Sequence, residues 1–269
     1  MDAVGTYDYS PNDTYGQVAT CPCHYHMPIL EIGPGTGILT EKLLANNVGV
    51  YCNTPLPILA IEKDRNLYKL LQKRFKSAIQ NQKLILINDD FVHLDFTALL
   101  KKYGFEAQKY RVITNLPYQI TSPTLEILLE QNFLPAEILL TIQKEVAERI
   151  CANPGKLSSL AVMVQNIAQK VEIISHFPPS FFYPEPEVHS SLIRLSSLSY
   201  PPKVEIKKLR RLIHAGFSQK RKKLKKNLAN ILGLDEVNLI WQKLKLSENL
   251  RAQELPAQKW LDIYKLVFI

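Results

Sequence analysis

The sequence predicts an α/β fold: a mostly parallel sheet covered by helices on both faces, followed by a small all-α C-terminal domain. Three observations predict it. Short apolar runs alternate with stretches of helical spacing across residues 28–150. Each early run ends in glycine, acid or amide residues, where open parallel sheets place their ligands. Beyond Leu195 no strand pattern returns, and the helical faces turn lysine-rich. At 46% hydrophobic and 22% charged residues, the chain can bury a sizeable core, which excludes a disordered or fibrous protein.

The elements follow in order. Residues 1–27 lack periodicity and read as an irregular segment. Residues 28–32 form a strand that runs into Gly33-Pro34-Gly35-Thr36-Gly37. Residues 38–45 are then helical, with Leu39, Leu43 and Leu44 on one side. A second strand, 58–61, is closed by Glu62 and followed by a helix over 66–75. The third strand, 83–87, ends at Asn88-Asp89-Asp90, and the fourth, 111–114, ends at Asn115-Leu116-Pro117-Tyr118. A helix over 121–130, a strand over 136–143 and a helix over 145–150 come next. Later strands are expected at 171–175 and 192–195. A Ser/Pro-rich linker over 196–202 sets a boundary near residue 197, giving a sheet domain over 28–196 and a helical domain over 197–269.

The strand ends carry the chemistry. Glycines at a helix N-terminus let the backbone approach a ligand closely. Glu31 and Pro34 argue against a pyrophosphate there, because a fixed anion repels phosphate. A cationic or zwitterionic ligand such as an amino-acid sulfonium fits better. Glu62, at the end of the second strand, can accept both hydroxyls of a ribose. It stands 29 residues beyond Gly33, more than the usual ~20, and the excess falls in an inserted loop over 46–57. Asp90 can accept a hydrogen bond from an adenine amine; a helix N-cap is its other reading. Asn115-Leu116-Pro117-Tyr118 is the most specific element. An exocyclic amine is a poor nucleophile because its lone pair is delocalised into the ring. The Asn115 side-chain oxygen and a carbonyl from Leu116 or Pro117 can accept its hydrogens. Pro117 fixes the turn and Tyr118 can stack on the base. Phe182, in the stiff stretch Phe182-Tyr183-Pro184-Glu185-Pro186, can supply the other face of a clamp around an unstacked base.

Charge is concentrated. The net charge is +8, yet residues 203–226 alone hold eleven Lys and Arg against one acid, Glu205. Such a one-sided segment points to a polyanion, and Lys220, Arg221, Lys222 and Lys223 are its densest run. Four cysteines suit a reducing compartment rather than a disulfide scaffold. Cys21-Pro22-Cys23-His24-Tyr25-His26 lacks paired ligand spacing, so no metal is expected. No apolar stretch approaches the ~18 residues of a membrane span, and no secretory signal is expected.

Taken together, these residues resemble the ribosomal RNA adenine N6,N6-dimethyltransferase family. The matches run in family order: residues 31–37, 61–64, Asp90, 115–118, 143–149, Leu157-Ser158 with Val164-Gln165, 182–190 and 217–224. The family's Gly-Gln-aromatic-Leu motif has its nearest echo in Gly16-Gln17-Val18-Ala19, with the aromatic absent. The resemblance implies a class I, Rossmann-like methyltransferase fold with S-adenosylmethionine as methyl donor. It implies two adjacent adenosines near the 3′ end of small-subunit (16S) rRNA as substrate, on an immature 30S particle. A cytoplasmic monomer with no membrane partner is the expected form. Carried over by position, Glu31, Gly33, Gly35, Gly37, Glu62, Asp90 and Asn115 contact the cofactor. Asn115, Leu116, Pro117 and Tyr118 hold the amine, and Phe182 stacks on the base. A non-catalytic ribosome-assembly factor on the same fold, or a large-subunit rRNA adenine N6-methyltransferase, are the alternative readings.

Overall fold

The computed structural model describes residues 27–46, 57–130 and 133–269. The 46–57 insertion except its ends, the 16–19 echo and the 21–26 cysteine–histidine stretch lie outside the described residues. In chain order the elements are β1 (Ile29–Ile32), α1 (Ile38–Asn46), β2 (Ile58–Glu62), α2 (Arg65–Arg74), α3 (Lys76–Gln80), β3 (Leu84–Asn88), α4 (Phe96–Lys102) and β4 (Arg111–Asn115). Next come α5 (Thr121–Glu130), β5 (Glu137–Gln143), α6 (Lys144–Ile150), α7 (Ser159–Ile167), β6 (Ala168–Phe177) and β7 (Ser190–Leu198). The chain closes with α8 (Ile206–Phe217), α9 (Leu224–Leu232), α10 (Leu234–Leu244) and α11 (Ala257–Phe268). Among the described residues no helix is long and apolar enough to cross a membrane.

The strands form one sheet in the order β3-β2-β1-β4-β5-β7-β6. The first five are parallel, and β7 pairs antiparallel with both β5 and β6. Parallel strands buried on both faces read as unbroken apolar runs, which is why β1 and β2 were visible in sequence. Side chains alternate between faces. Leu30, Ile32, Leu59 and Ile61 enter the larger core, whereas Ile29, Ile58 and Ala60 enter a smaller one with Leu71, Phe75 and Leu84. Glu31 shares the latter face, so a carboxylate is carried into the interior beneath α1.

Four features depart from expectation. β6 and β7 are longer than 171–175 and 192–195, because their polar outward residues dilute the apolar signal. Helices α3, α4 and α7 have no counterpart in the sequence reading: α3 and α4 are short, and α7 is apolar nearly all round. Asp95, not Asp90, caps α4, accepting the Ala98 N–H at 3.0 Å. Strand β7 continues through Leu198, so the linker into α8 begins at Ser199.

The C-terminal helices share the larger core. α7 packs against α6, α8 and α11, and the Asn166 amide on α7 donates to the Ala257 carbonyl at 3.0 Å. Arg210 on α8 reaches Glu130 at 2.5 Å and Glu126 at 3.4 Å, both on α5. Gly216 on α8 lies against the Trp260 ring, where a Cβ would come within 2.3 Å.

Candidate active site

The site forms where the strand order reverses, between β1 and β4. At the end of β1 the chain turns through Gly33, whose N–H donates to the Ile61 carbonyl at 2.8 Å. Gly35 then directs its N–H to the Glu62 carboxylate at 3.0 Å. Both residues have positive φ, +68° and +60°, which glycine adopts without strain. The other Glu62 oxygen accepts the Asp64 N–H at 2.8 Å, so two backbone donors fix this nearly buried carboxylate. The Asn88 amide holds the same stretch from β3, donating to the carbonyls of Glu62 at 2.8 Å and Lys63 at 3.1 Å.

Glu31 is 1% exposed, and one oxygen accepts the Thr40 hydroxyl of α1 at 2.7 Å. Its other oxygen, Oε1, is buried without a hydrogen-bond partner. Burial raises the carboxyl from 4.5 to about 7; the Thr40 bond opposes this and the nearby Glu62 adds to it. The folded state therefore holds a proton that the unfolded chain releases between pH 4.5 and about 7. Stability falls as pH rises through that window, and the full cost, on the order of 3 kcal/mol, is present above it. Glu31→Gln removes this titration. In urea unfolding of the ligand-free protein, the variant should gain on the parent by about that amount between pH 4.5 and pH 8. A gap that does not change with pH would contradict this environment for Glu31.

Asp90 follows β3. Its carboxylate meets the Lys63 ammonium at 2.8 Å and accepts the Val92 N–H at 3.1 Å. The Lys63 hydrogen bond holds the carboxyl below the usual carboxylate range. Glu62 and Lys63 are adjacent in chain, so Asp90 is joined to the Glu62 corner through one side chain.

The amide loop closes the other side. The Thr114 hydroxyl donates to the Ile32 carbonyl, tying β4 to the root of the glycine turn. Asn115 is exposed at the end of β4, Leu116 is buried beneath it, and Pro117 Cδ lies 3.7 Å from where a Gly33 side chain would begin. The Tyr118 hydroxyl meets Ser190 Oγ at 2.8 Å, which links this loop to the start of β7. Phe182 is half-buried and sits edge-on to Phe177, with ring centres 6.4 Å apart. Residues 183–189 lead from it to the start of β7, where Ser190 meets Tyr118. Lys220, Arg221, Lys222 and Lys223 are exposed on a different element, the turn between α8 and α9.

The structure thus brings Glu31, Gly33, Gly35, Glu62 and the 115–118 loop to one corner, with Asp90 beside it. Thr40, Asn88, Thr114 and Ser190 were not singled out in sequence. A lone threonine on the otherwise apolar side of α1 was the available signal for Thr40.

A parallel sheet reversed at β1/β4, with an antiparallel strand between β5 and β6 and this acidic glycine-turn corner, defines a class I methyltransferase. The chain belongs to the ribosomal RNA adenine dimethylase family, whose model matches residues 18–268. It is 36% identical over 260 residues to Ribosomal RNA small subunit methyltransferase A of Trichormus variabilis, covering 93% of this chain and 91% of that one. It is 37% identical over 249 residues to the protein of that name in Rippkaea orientalis, covering 89% and 86%. A dimethyladenosine transferase from Plasmodium falciparum shares the fold, with TM-score 0.68 and 24% identity over 89% of each chain. So does the 23S rRNA methyltransferase ErmE, with TM-score 0.63 and 20% identity over 90% and 91%.

Proposed function

We propose that this protein transfers methyl groups from S-adenosylmethionine to N6 of two adjacent adenosines near the 3′ end of small-subunit (16S) rRNA. Its substrate in this reading is an immature 30S particle, met in the cytoplasm by a monomer during ribosome biogenesis. The observation that carries the reading is the seating of the 115–118 loop against Gly33, beside the Glu62 carboxylate.

The residues present fit the donor. Glu62 keeps lone pairs for ribose hydroxyls beyond the two it gives to N–H groups. Asp90 offers a carboxylate at the end of the neighbouring strand for an adenine amine. A cation bound at the glycine turn would draw the buried Glu31 carboxyl, raised to about 7 in the ligand-free protein, into its charged form, whereas a phosphate would not. When bound, S-adenosylmethionine supplies an electrophilic methyl on a sulfonium.

The chain's own part is positioning. Asn115 Oδ1 and a carbonyl of residue 116 or 117 accept the hydrogens of the adenine amine. Their pull orients the nitrogen lone pair and stabilises the positive charge that develops there during attack. No strong base is required, because the methylated nitrogen loses its proton readily. Tyr118 and Phe182 grip a base that has left its stack. Lys220, Arg221, Lys222 and Lys223 hold the phosphate backbone, which positions the RNA without reading its sequence.

Labelled methyl groups should enter 30S particles that lack the modification, at two adjacent adenosines mapped by nuclease digestion. No incorporation, where a relative works under the same conditions, would overturn the reading. If about five phosphates are engaged, log affinity against log salt should slope near −3.5, at about −0.7 per contact. A flat slope would remove the basic segment from the interface.

A further inference from the structure

The basic turn carries four exposed cations in succession, Lys220, Arg221, Lys222 and Lys223, and none of them has a salt-bridge partner among the described residues. Elsewhere in the basic segment Lys208 pairs with Glu205, Arg210 with Glu126 and Glu130, and Lys225 with Glu248 at 2.7 Å, while Lys203, Lys207, Arg211 and Lys226 have no salt bridge among the described residues; what sets 220–223 apart is that four unpaired cations are consecutive in one turn. Four adjacent like charges repel, and an unrestrained turn would open to separate them. This turn is closed, with the Gln219 carbonyl accepting the Lys222 N–H at 3.0 Å.

One buried side chain reinforces the closure. Asn227 on α9 is 2% exposed. Its amide donates to the Gly216 carbonyl at 2.7 Å and to the Gln219 carbonyl at 3.2 Å. Gly216 lies in the last turn of α8, where carbonyls lack intrahelical partners. Two acceptor carbonyls require the NH₂ end of the side chain to face them, so the amide orientation follows from chemistry. Asn227 Oδ1 is then left buried without a hydrogen-bond partner. The two hydrogen bonds offset the cost of that unpaired oxygen and of asparagine's weak helix propensity, and they go to the two carbonyls that lead into the turn. The far side of the turn is anchored separately, by the Leu224 N–H on the Leu250 carbonyl at 2.8 Å.

We infer that Asn227 is a positioning residue for RNA binding: it clamps the 219–223 turn shut so that four cations meet the phosphate backbone as a preformed array. The inference rests on the proposed role of residues 220–223 in holding RNA. An array ordered before binding loses less freedom on contact, so the clamp acts on affinity without touching RNA.

The test uses the full chain and an RNA hairpin carrying the two adenosines. Asn227→Leu and Asn227→Ala are compared with a variant in which Lys220, Arg221, Lys222 and Lys223 are all alanine. The expected result is RNA affinity about tenfold lower for the Asn227 variants, with a salt slope shallower by about one contact's worth. Affinity for S-adenosylmethionine should be unchanged. Limited trypsin digestion without RNA should cut the 220–223 turn faster in both Asn227 variants, a readout that does not depend on RNA binding. Adding Asn227→Leu to the fourfold alanine variant should cost nothing further. If the fourfold variant weakens RNA binding and the Asn227 variants do not, the clamp is wrong. An additive loss in the combined variant also overturns it, because the effect of Asn227 would then lie outside the turn. If the fourfold variant binds RNA like the parent, the proposed role of the turn falls, and the inference with it.

Discussion

Asn115→Ala is expected to lower the methyl-transfer rate by about 10²- to 10³-fold, the range seen when one charge-stabilising group is removed from a transition state. The backbone around it should hold. Asn115 is the last residue of β4, paired in register with Thr141 of β5. The Thr114 hydroxyl and buried Leu116 anchor both of its neighbours without using the Asn115 side chain. Removing an exposed amide therefore leaves the strand, the turn and the Pro117 contact with Gly33 in place. In the proposed role what disappears is an acceptor for the target amine, so the loss should fall on kcat more than on KM for RNA. Single-turnover transfer measures the rate, and calorimetric titration measures donor affinity separately. A rate within threefold of the parent would show that Asn115 does not hold the amine.

Gly37→Ala is expected to be the most damaging single methyl group in the site, costing about 2–5 kcal/mol of stability. Two costs combine. At φ +86° a Cβ is strained, by about 1–2 kcal/mol. It would also lie 2.5 Å from the Phe75 ring and 2.8 Å from Leu71, both buried in the smaller core, and overpacking adds about 1–3 kcal/mol. Gly35→Ala is the control. Its φ is +60°, but no heavy atom lies within 4 Å of the added carbon, so only the backbone cost applies. Urea unfolding of the two variants separates strain from crowding. Equal losses would mean that Phe75 and Leu71 yield freely.

The candidate site was legible in sequence to the extent that strand ends are legible. Glu62, Asp90 and Asn115 each follow an apolar run, and β2, β3 and β4 deliver them to one side because parallel strands put all their carboxyl ends together. Three things were hidden. The Glu31 carboxyl reads like any acid before a glycine turn; that it is buried, and held by Thr40, depends on how α1 crosses β1. The direction of β7 depends on the return path through residues 178–189, which periodicity does not encode. Helix α7 is apolar on nearly every side because it lies between the sheet and the C-terminal helices, so it shows no amphipathic stripe. The four-residue basic run was obvious, whereas the asparagine behind it was not, since nothing local distinguishes a buried helical Asn from an exposed one.

The placement of α7 bears on any attempt to exchange parts between relatives. A graft cut at the Ser/Pro-rich hinge would carry α8 and α11 away from the helix they close on, baring aliphatic surface on both fragments. Chimaeras that move the lysine-rich end between homologues must therefore transplant α7 along with it, or match its outward residues to the incoming helices.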